Sequence, residues 1–333
     1  MTYKITGRRK IFCFGLCAWF LALGSSAKAQ QPKKGVRIGV LNQSSPNFLL
    51  TQLEAFRQGF RDFGYVDGQN IAIEYRYAEG KLDRLAALAG ELVRSKVDVI
   101  VATSTPGVLA AKSATNEIPI VFHTIGDPVE TGVVASLARP GANITGLTMG
   151  GAELYGKRLE LLNETIPKLS RAAFMLNPTT SAAQLNLKET LATAEALKLK
   201  IQSLEVRTPE DIAPAFDAAI RAKNGAMLIT QVPPISTHSK LIIDLAAKHR
   251  LPVIYPQRQW PDSGGLMSYG ANVDDSYRQL ATYVDRILKG ARPADLPVER
   301  ARKFEFIMNL KTAKQIGLTI PPNVLARADK VIK

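Results

Sequence analysis

Cysteine is almost absent from this chain, and histidine is nearly as scarce. The 333 residues include two cysteines, Cys13 and Cys17, and three histidines. Both cysteines lie in the first thirty residues, and His238 and His249 stand eleven positions apart, which matches no common metal-ligand spacing. We therefore expect no disulfide, no cysteine nucleophile and no metal site beyond residue 29.

Motifs that bind phosphate groups are missing as well. The sequence has no G-x-x-x-x-G-K-[ST] and no G-x-G-x-x-G after a predicted strand, so we expect no nucleotide and no other cofactor. The net charge is +14, from 43 Lys and Arg against 29 Asp and Glu, but no five consecutive residues are basic. A basic excess without such a block does not indicate nucleic acid as a partner.

The first thirty residues have the composition of an export signal. MTYKITGRRK is basic, IFCFGLCAWFLALG is apolar over about 14 residues, and Ala27-Lys28-Ala29 resembles a cleavage site. The apolar stretch is short for a membrane span, and neither cysteine follows the small residues of a lipoprotein acceptor site. The sequence therefore predicts a signal peptide over 1–29 and a soluble periplasmic product that is not a lipoprotein. Arg8-Arg9 leaves both Sec and twin-arginine export open.

Beyond residue 35, short β-rich segments alternate with longer amphipathic ones. VRIGVL (36–41) precedes a stretch in which Phe56, Phe60 and Phe63 recur at helical spacing, and the alternation continues to FEFIMNL (304–310). It predicts an α/β fold with two doubly wound Rossmann-like lobes, parallel central sheets and a hinge. A single (β/α)8 barrel is the alternative that the length allows. The same reading predicts a helix around Val129 to Leu137.

We expect three divisions of the chain. They are the signal peptide 1–29, a first lobe of 30–149 plus 275–333, and a second lobe of 150–274 that includes the hinge crossovers.

Polar or turn-forming residues follow many of the predicted strands. In open α/β sheets, ligands bind beyond the carboxyl ends of the strands. Ser, Thr, Asn and Asp at these positions cap helices, which explains each loop alone, but helix N-termini also attract anions. The candidate ligand-binding residues are Asn42, Gln43, Ser44, Thr103, Ser104, Thr105, Asp127, Asn177, Pro233, Tyr255 and Tyr269.

A catalytic interpretation rests on Ser104, His123 and Asp127. Ser104 follows a predicted strand and precedes a helix, as in a nucleophile elbow, but the stretch reads Ala-Thr-Ser-Thr-Pro and lacks the G-x-S-x-G motif. A secreted α/β hydrolase that acts through Ser104 and His123 is therefore the alternative hypothesis, and we expect no enzyme.

Three stretches carry a resemblance to a known family. They are GDPVETGVVASLARPGANITGLT (126–148), GGLMSYGANVDDSYRQLATYVDRILKGARPADLPVE (264–299) and KFEFIMNLKTAKQIGLTIPP (303–322). Together they resemble the ABC-transporter substrate-binding proteins whose characterised members bind aromatic amino acids such as tryptophan and phenylalanine. The resemblance implies a type I periplasmic-binding-protein fold, with a ligand cleft that closes by a hinge motion.

The resemblance also implies a function and places the candidate residues. The chain is expected to capture a small molecule, such as an aromatic or branched amino acid, and to deliver it as a monomer to a membrane permease. Asn42 to Ser44, Thr103 to Thr105 and Asp127 would contact the ligand from the first lobe. Asn177, the Pro233 loop, Tyr255 and Tyr269 would face them. A sugar-responsive repressor of the same fold would need an N-terminal helix-turn-helix, and residues 1–35 read as an export signal instead.

Overall fold

A computed structural model of the protein describes residues 35–44, 50–180 and 182–333. The predicted signal peptide lies outside these residues. Within them, no helix combines the length and the apolar character that a membrane span needs.

The first sheet contains six strands within the described residues. They are β1 (Val36–Asn42), β2 (Ile71–Tyr77), β3 (Val99–Thr103), β4 (Ile120–Thr124), β5 (Ile144–Thr148) and β11 (Glu299–Arg300), in the order β11-β5-β4-β3-β1-β2. All pairings in this sheet are parallel, so the carboxyl ends of its strands share one edge.

Helices cover both faces of the first sheet. They are α1 (Leu50–Asp62), α2 (Leu85–Arg94), α3 (Thr105–Ala114) and α9 (Val273–Leu288). Phe56 and Phe60 of α1 pack with Leu280 of α9 against one face, while Leu92 of α2 and Val108 of α3 pack against the other. A parallel sheet covered on both faces explains why its strands β3, β4 and β5 are buried at every position rather than alternately.

The second sheet contains seven strands in the described part of the chain. They are β6 (Arg171–Leu176), β7 (Lys200–Glu205), β8 (Ala226–Ile229), β9 (Val253–Tyr255), β10 (Met267–Ala271), β12 (Phe304–Asn309) and β13 (Lys330–Ile332), in the order β13-β12-β10-β9-β8-β6-β7. Strand β12 is antiparallel to β10, and the other pairings are parallel. The associated helices are α4 (Glu153–Thr165), α5 (Ala183–Ala196), α6 (Ile212–Arg221), α7 (Ser239–Lys248), α8 (Gln259–Asp262), α10 (Leu310–Ile316) and α11 (Pro322–Leu325).

Three crossovers connect the two sheets at the same kind of edge. Residues 149–152 lead from the end of β5 to α4, residue 272 leads from the end of β10 to α9, and residues 301–303 lead from β11 to β12. Asn272 N–H donates to the carbonyl of Lys303 at 2.8 Å, so two crossovers run side by side. Because every crossover starts at a carboxyl edge, the carboxyl edges of the two sheets face each other.

The two-lobed α/β architecture expected from the sequence is therefore confirmed. The predicted helix around Val129 to Leu137 is wrong, because the segment forms turns. Gly132 adopts φ +71°, and the ammonium of Lys112 donates to the carbonyls of Gly132 and Val133, both at 3.0 Å. A helix would have used those carbonyls internally.

Sheet membership also differs from the lobe boundaries expected from the sequence. Strands β12 and β13, which lie within 275–333, pair in the second sheet rather than the first. The reason is packing, since Phe306 and Met308 of β12 are buried in the core that α4 forms with the second sheet.

Candidate functional site

A row of four polar or aromatic side chains lies at the carboxyl edge of the first sheet. Asn42 pairs with Tyr77, Thr103 pairs with His123, and the register between β1 and β3 places Asn42 beside Thr103. Parallel pairing directs the side chains of paired residues to the same face, here the face covered by α1 and α9. We call Tyr77, Asn42, Thr103 and His123 the lobe-one row.

Tyr277 of α9 covers this row. Its ring centroid lies 5.0 Å from that of His123. Burial raises the pKa of the Tyr277 hydroxyl, and the neighbouring polar side chains of Thr103 and Asn42 offset part of that rise. Since α9 follows the crossover at residue 272, Tyr277 links the hinge to the edge of the first sheet.

The imidazole of His123 is buried and neutral. Its exposed fraction is 6%, and burial lowers its pKa to about 4. Within the described residues, its Nε2 has no hydrogen-bond partner. The ring packs against Tyr277, and the Ser104 Oγ accepts from the N–H of Gly107, so within the described residues no side-chain hydrogen bond joins Ser104 to His123.

Helix α3 begins directly beyond the row, with Ser104 as its N-cap. The Ser104 Oγ accepts from the N–H of Gly107 at 3.3 Å, and Ser104 N–H donates to the carbonyl of His123 at 3.0 Å. The capping interpretation is therefore confirmed for Ser104. Its backbone is unusual, with φ +69° and ψ 149°. Thr103 is buried, whereas Ser104 and Thr105 are partly exposed, so the three hydroxyl-bearing residues lead from the end of β3 to the surface.

The other first-lobe candidates organise their own loops. Asn42 Oδ1 accepts from the N–H of Ser44 at 2.7 Å, and the carbonyl of Gln43 accepts from Gly80 N–H at 2.7 Å. Asp127 Oδ1 accepts from the N–H groups of two following residues, at 2.7 and 3.3 Å. That arrangement is an Asx-turn, so one carboxylate oxygen of Asp127 is engaged locally.

In the second lobe, the structure brings two candidates together. Asn177 Nδ2 donates to the carbonyl of Pro233 at 2.8 Å, which joins the ends of β6 and β8. Tyr269 lies on β10, and its ring stacks on Phe304 with a centroid distance of 6.0 Å. These residues occupy the edge that faces the first lobe.

Tyr255 does not lie open at that edge. Its exposed fraction is 1%, and its ring stacks on Trp260 at 4.7 Å in the core of the second lobe. Tyr255 follows Val253 on the face of β9 that packs against α7 and α8, so its side chain continues the core. Placing the Tyr255 side chain in an open cleft was therefore wrong.

Three residues at these edges were not among the site residues predicted from the sequence. Tyr77 ends β2 in the motif Tyr-Arg-Tyr and could have been found as another strand exit. Tyr277 and Arg158 lie within helical patterns, and neither carries a local signal of its position at an edge.

The described residues contain no group of three or more His, Cys, Asp or Glu side chains arranged to hold a metal ion. The arrangement instead offers amide, hydroxyl and aromatic surfaces on two facing edges, with a helix N-terminus at one of them. Such a lining suits a small polar ligand with an aromatic or apolar part.

Comparison with known proteins finds similar sequences over nearly the whole chain. The sequence profile of a family described as ABC transporter substrate binding protein matches residues 37–332. A protein of Clostridioides difficile (strain R20291) named tyrosine-binding protein is 26% identical over 294 residues, which cover 87% of this chain and 84% of that protein.

Two solved structures are similar in sequence and in fold. The structure of an ABC domain from Streptococcus pneumonia in complex with L-Trp is 26% identical, with a TM-score of 0.81, and the match covers 90% of this chain and all of that one. A conserved domain protein from Vibrio cholerae is 27% identical, with the same TM-score and the same coverage of both chains. The family description and the name of the curated relative both state a binding function.

Proposed function

This chain belongs to the ABC transporter substrate-binding protein family, and on that premise we propose that it captures an aromatic amino acid between its lobes. The observation that carries the proposal is the lobe-one row beneath Tyr277, at an edge that faces the second lobe. Tyr77 supplies partly exposed aromatic surface there, while Tyr277, Asn42 and Thr103 are buried and hold the edge in place. The printed names of two relatives, one for tyrosine and one for L-Trp, support the same ligand class.

The two charged groups of an amino acid would find different partners. The N-terminus of α3, at Thr103, Ser104 and Thr105, favours the carboxylate, because helix N-termini concentrate free N–H groups and partial positive charge. Asp127 offers a carboxylate to the ammonium group. Gln43 and Ser44 would close the first-lobe side, and Asn177, Pro233 and Tyr269 would contact the ligand from the second lobe.

The work of such a protein is differential binding. A ligand that touches both edges stabilises the closed arrangement of the lobes over the open one, and the closed surface is what a membrane permease would recognise. We propose that the chain is exported through its N-terminal signal, acts in the periplasm as a monomer, and delivers its ligand without chemical change.

Thermal melting of residues 30–333 with a panel of solutes tests this proposal. The protein would first be unfolded and refolded, to remove any solute that co-purifies, and native mass spectrometry of the untreated protein would identify that solute. We expect L-tyrosine, L-tryptophan or L-phenylalanine to raise the melting temperature more than L-alanine or glucose. The absence of a shift with every amino acid would refute the proposal.

A further inference from the structure

One positive charge is buried in the second lobe without a negative partner. Arg158 of α4 has an exposed fraction of 4%, and it is the only buried lysine or arginine in the described parts of the chain. Its Nε donates to the carbonyl of Tyr269 at 2.8 Å, and its Nη2 donates to the carbonyl of Pro256 at 3.4 Å. The guanidinium also lies 4.8 Å from the centroid of the Tyr155 ring.

The buried carboxylate in the described parts of the chain, by contrast, has a partner of opposite charge. Asp285 is as buried as Arg158, and it contacts the ammonium of Lys289 at 2.9 Å and the hydroxyl of Tyr65 at 3.2 Å. No described carboxylate lies within 4.0 Å of Arg158. Burying an ion without a counter-ion is costly, because carbonyl dipoles and an aromatic face do not neutralise a full charge. The guanidinium nevertheless stays protonated at any physiological pH.

The guanidinium of Arg158 lies at one particular edge of the second sheet. Pro256 follows the last residue of β9, and Tyr269 lies at the same level on β10. Arg158 therefore lies at the carboxyl edge of the second sheet, which is the edge that faces the first lobe across the crossovers. Gly270, the next residue of β10, also lies beside the guanidinium, because a Cβ there would lie 3.7 Å from Nη2.

We infer that Arg158 is the counter-charge for the carboxylate of the bound ligand and so determines the preference for acids. This inference rests on the proposed function and deepens it. A carboxylate has two oxygens and about four lone-pair sites, so it can accept from the α3 N-terminus of the first lobe and from Arg158 of the second. The charge of the ligand then becomes part of what holds the lobes together.

A purely structural role is the rival explanation, in which Arg158 only ties the carbonyls of β9 and β10. The two roles differ in ligand selectivity. A structural tie would change the affinity for every ligand alike, whereas a counter-charge changes the affinity for acids and leaves amines of the same shape unaffected.

The test compares L-tyrosine with tyramine, which lacks only the carboxylate, by calorimetry on wild type, Arg158→Met and Arg158→Lys. Lys157→Met is the matched control, because it removes a positive charge from the adjacent position, where Lys157 is partly exposed and pairs with Glu160 at 2.8 Å. We expect wild type and Lys157→Met to prefer L-tyrosine to tyramine. Arg158→Met should lose about 100-fold in affinity for L-tyrosine, and under about 3-fold for tyramine.

Arg158→Lys keeps the charge but loses the planar fork, so it should retain a reduced preference for L-tyrosine even if Arg158→Met does not fold. An unchanged ratio of the two affinities in both variants would overturn the inference while leaving the proposed function intact. Failure of the wild type to bind L-tyrosine, L-tryptophan or L-phenylalanine would instead refute the proposed function, and the inference with it.

Discussion

The imidazole of His123 packs against the phenol ring of Tyr277, with ring centroids 5.0 Å apart and ring planes at 59°. His123 is the next-to-last residue of β4 in the first sheet, and Tyr277 lies on α9, the helix that follows the crossover from the second sheet. The contact therefore fixes the hinge-proximal helix at the edge where the lobe-one row lies. Its integrity depends on a neutral imidazole, since a charged one would be buried without a partner.

That dependence predicts a loss of stability in acid. The pKa of His123 is about 4 in the folded protein, against about 6.5 for an unfolded histidine. Between these values the unfolded chain binds the proton and the folded chain does not, so stability falls as the pH falls from about 6.5 to about 4. The contribution of His123 to this loss is about 3 kcal/mol at most. Urea unfolding of His123→Gln at pH 7 and pH 4.5 should show a smaller acid loss than wild type.

His238→Gln is the control for this experiment, because His238 is only partly buried. It should keep the pH dependence of the wild type. An identical acid loss in His123→Gln and wild type would contradict the assignment of that loss to the buried imidazole.

The backbone of Ser104 predicts an unusual order of two substitutions. With φ +69° and ψ 149°, Ser104 occupies a region that glycine adopts readily and that costs other residues about 1–3 kcal/mol. Both Ser104→Ala and Ser104→Gly lose the cap to Gly107, but only glycine relieves the strain. Chemical denaturation should find Ser104→Gly about 1 kcal/mol more stable than Ser104→Ala. Equal stability, or a more stable alanine variant, would speak against backbone strain at this cap.

The hinge strand should not tolerate a side chain at Gly270. A Cβ there would collide with the carbonyl oxygen of Pro256, which is backbone and cannot move without separating β9 from β10. We expect Gly270→Ala to lower the free energy of unfolding by about 3 kcal/mol. Gly126→Ala, which has no neighbouring atom within 4 Å of the added Cβ, should change it little. Comparable melting temperatures for the two variants would refute the close approach.

A carboxylate near the hinge is predicted to reduce stability at neutral pH. Glu305 pairs with Gly270 across β10 and β12, its Oε2 accepts from Asn272 Nδ2 at 3.2 Å, and Arg258 Nη1 lies 4.0 Å away. Burial raises the pKa of Glu305, and Arg258 offsets only part of the rise. The folded state therefore holds the proton to higher pH than the unfolded state, and stability falls as the pH rises through that window.

Glu305→Gln removes this penalty and keeps the shape of the side chain. Thermal melts should show it more stable than wild type at pH 7.5, with the difference shrinking towards pH 4. Glu160→Gln, at a partly exposed ion pair with Lys157, should show no such pH-dependent gain. A Glu305→Gln variant less stable than wild type at pH 7.5 would show that the ion pair outweighs the cost of burial.

Much of the fold could be predicted because its signals are local. The predicted β-rich segments at 36–41 and 304–310 agree with β1 (Val36–Asn42) and β12 (Phe304–Asn309) to within one residue. Here the apolar spacing and the neighbouring turn residues act within one element. The predicted helix near Val129 failed because a distant group, the Lys112 ammonium, binds the carbonyls that a helix would need.

The site was harder to predict from the sequence, because its contacts join residues that are far apart in the chain. Tyr277 meets His123 across 154 positions of chain, and Arg158 meets Tyr269 across 111. Their helical spacing predicts only which face of the helix is buried. Tyr255 lies at a strand end, as expected, but the phase of the strand directs its ring into the core. The position of a strand end could be predicted, and the partner that covers it could not.

Isothermal titration calorimetry of refolded residues 30–333 with L-tyrosine and L-tryptophan tests the central claim most directly. The account predicts saturable binding of at least one of them, with one ligand per chain and weaker binding of L-alanine. No binding heat with either aromatic amino acid, together with an unchanged melting temperature, would contradict it.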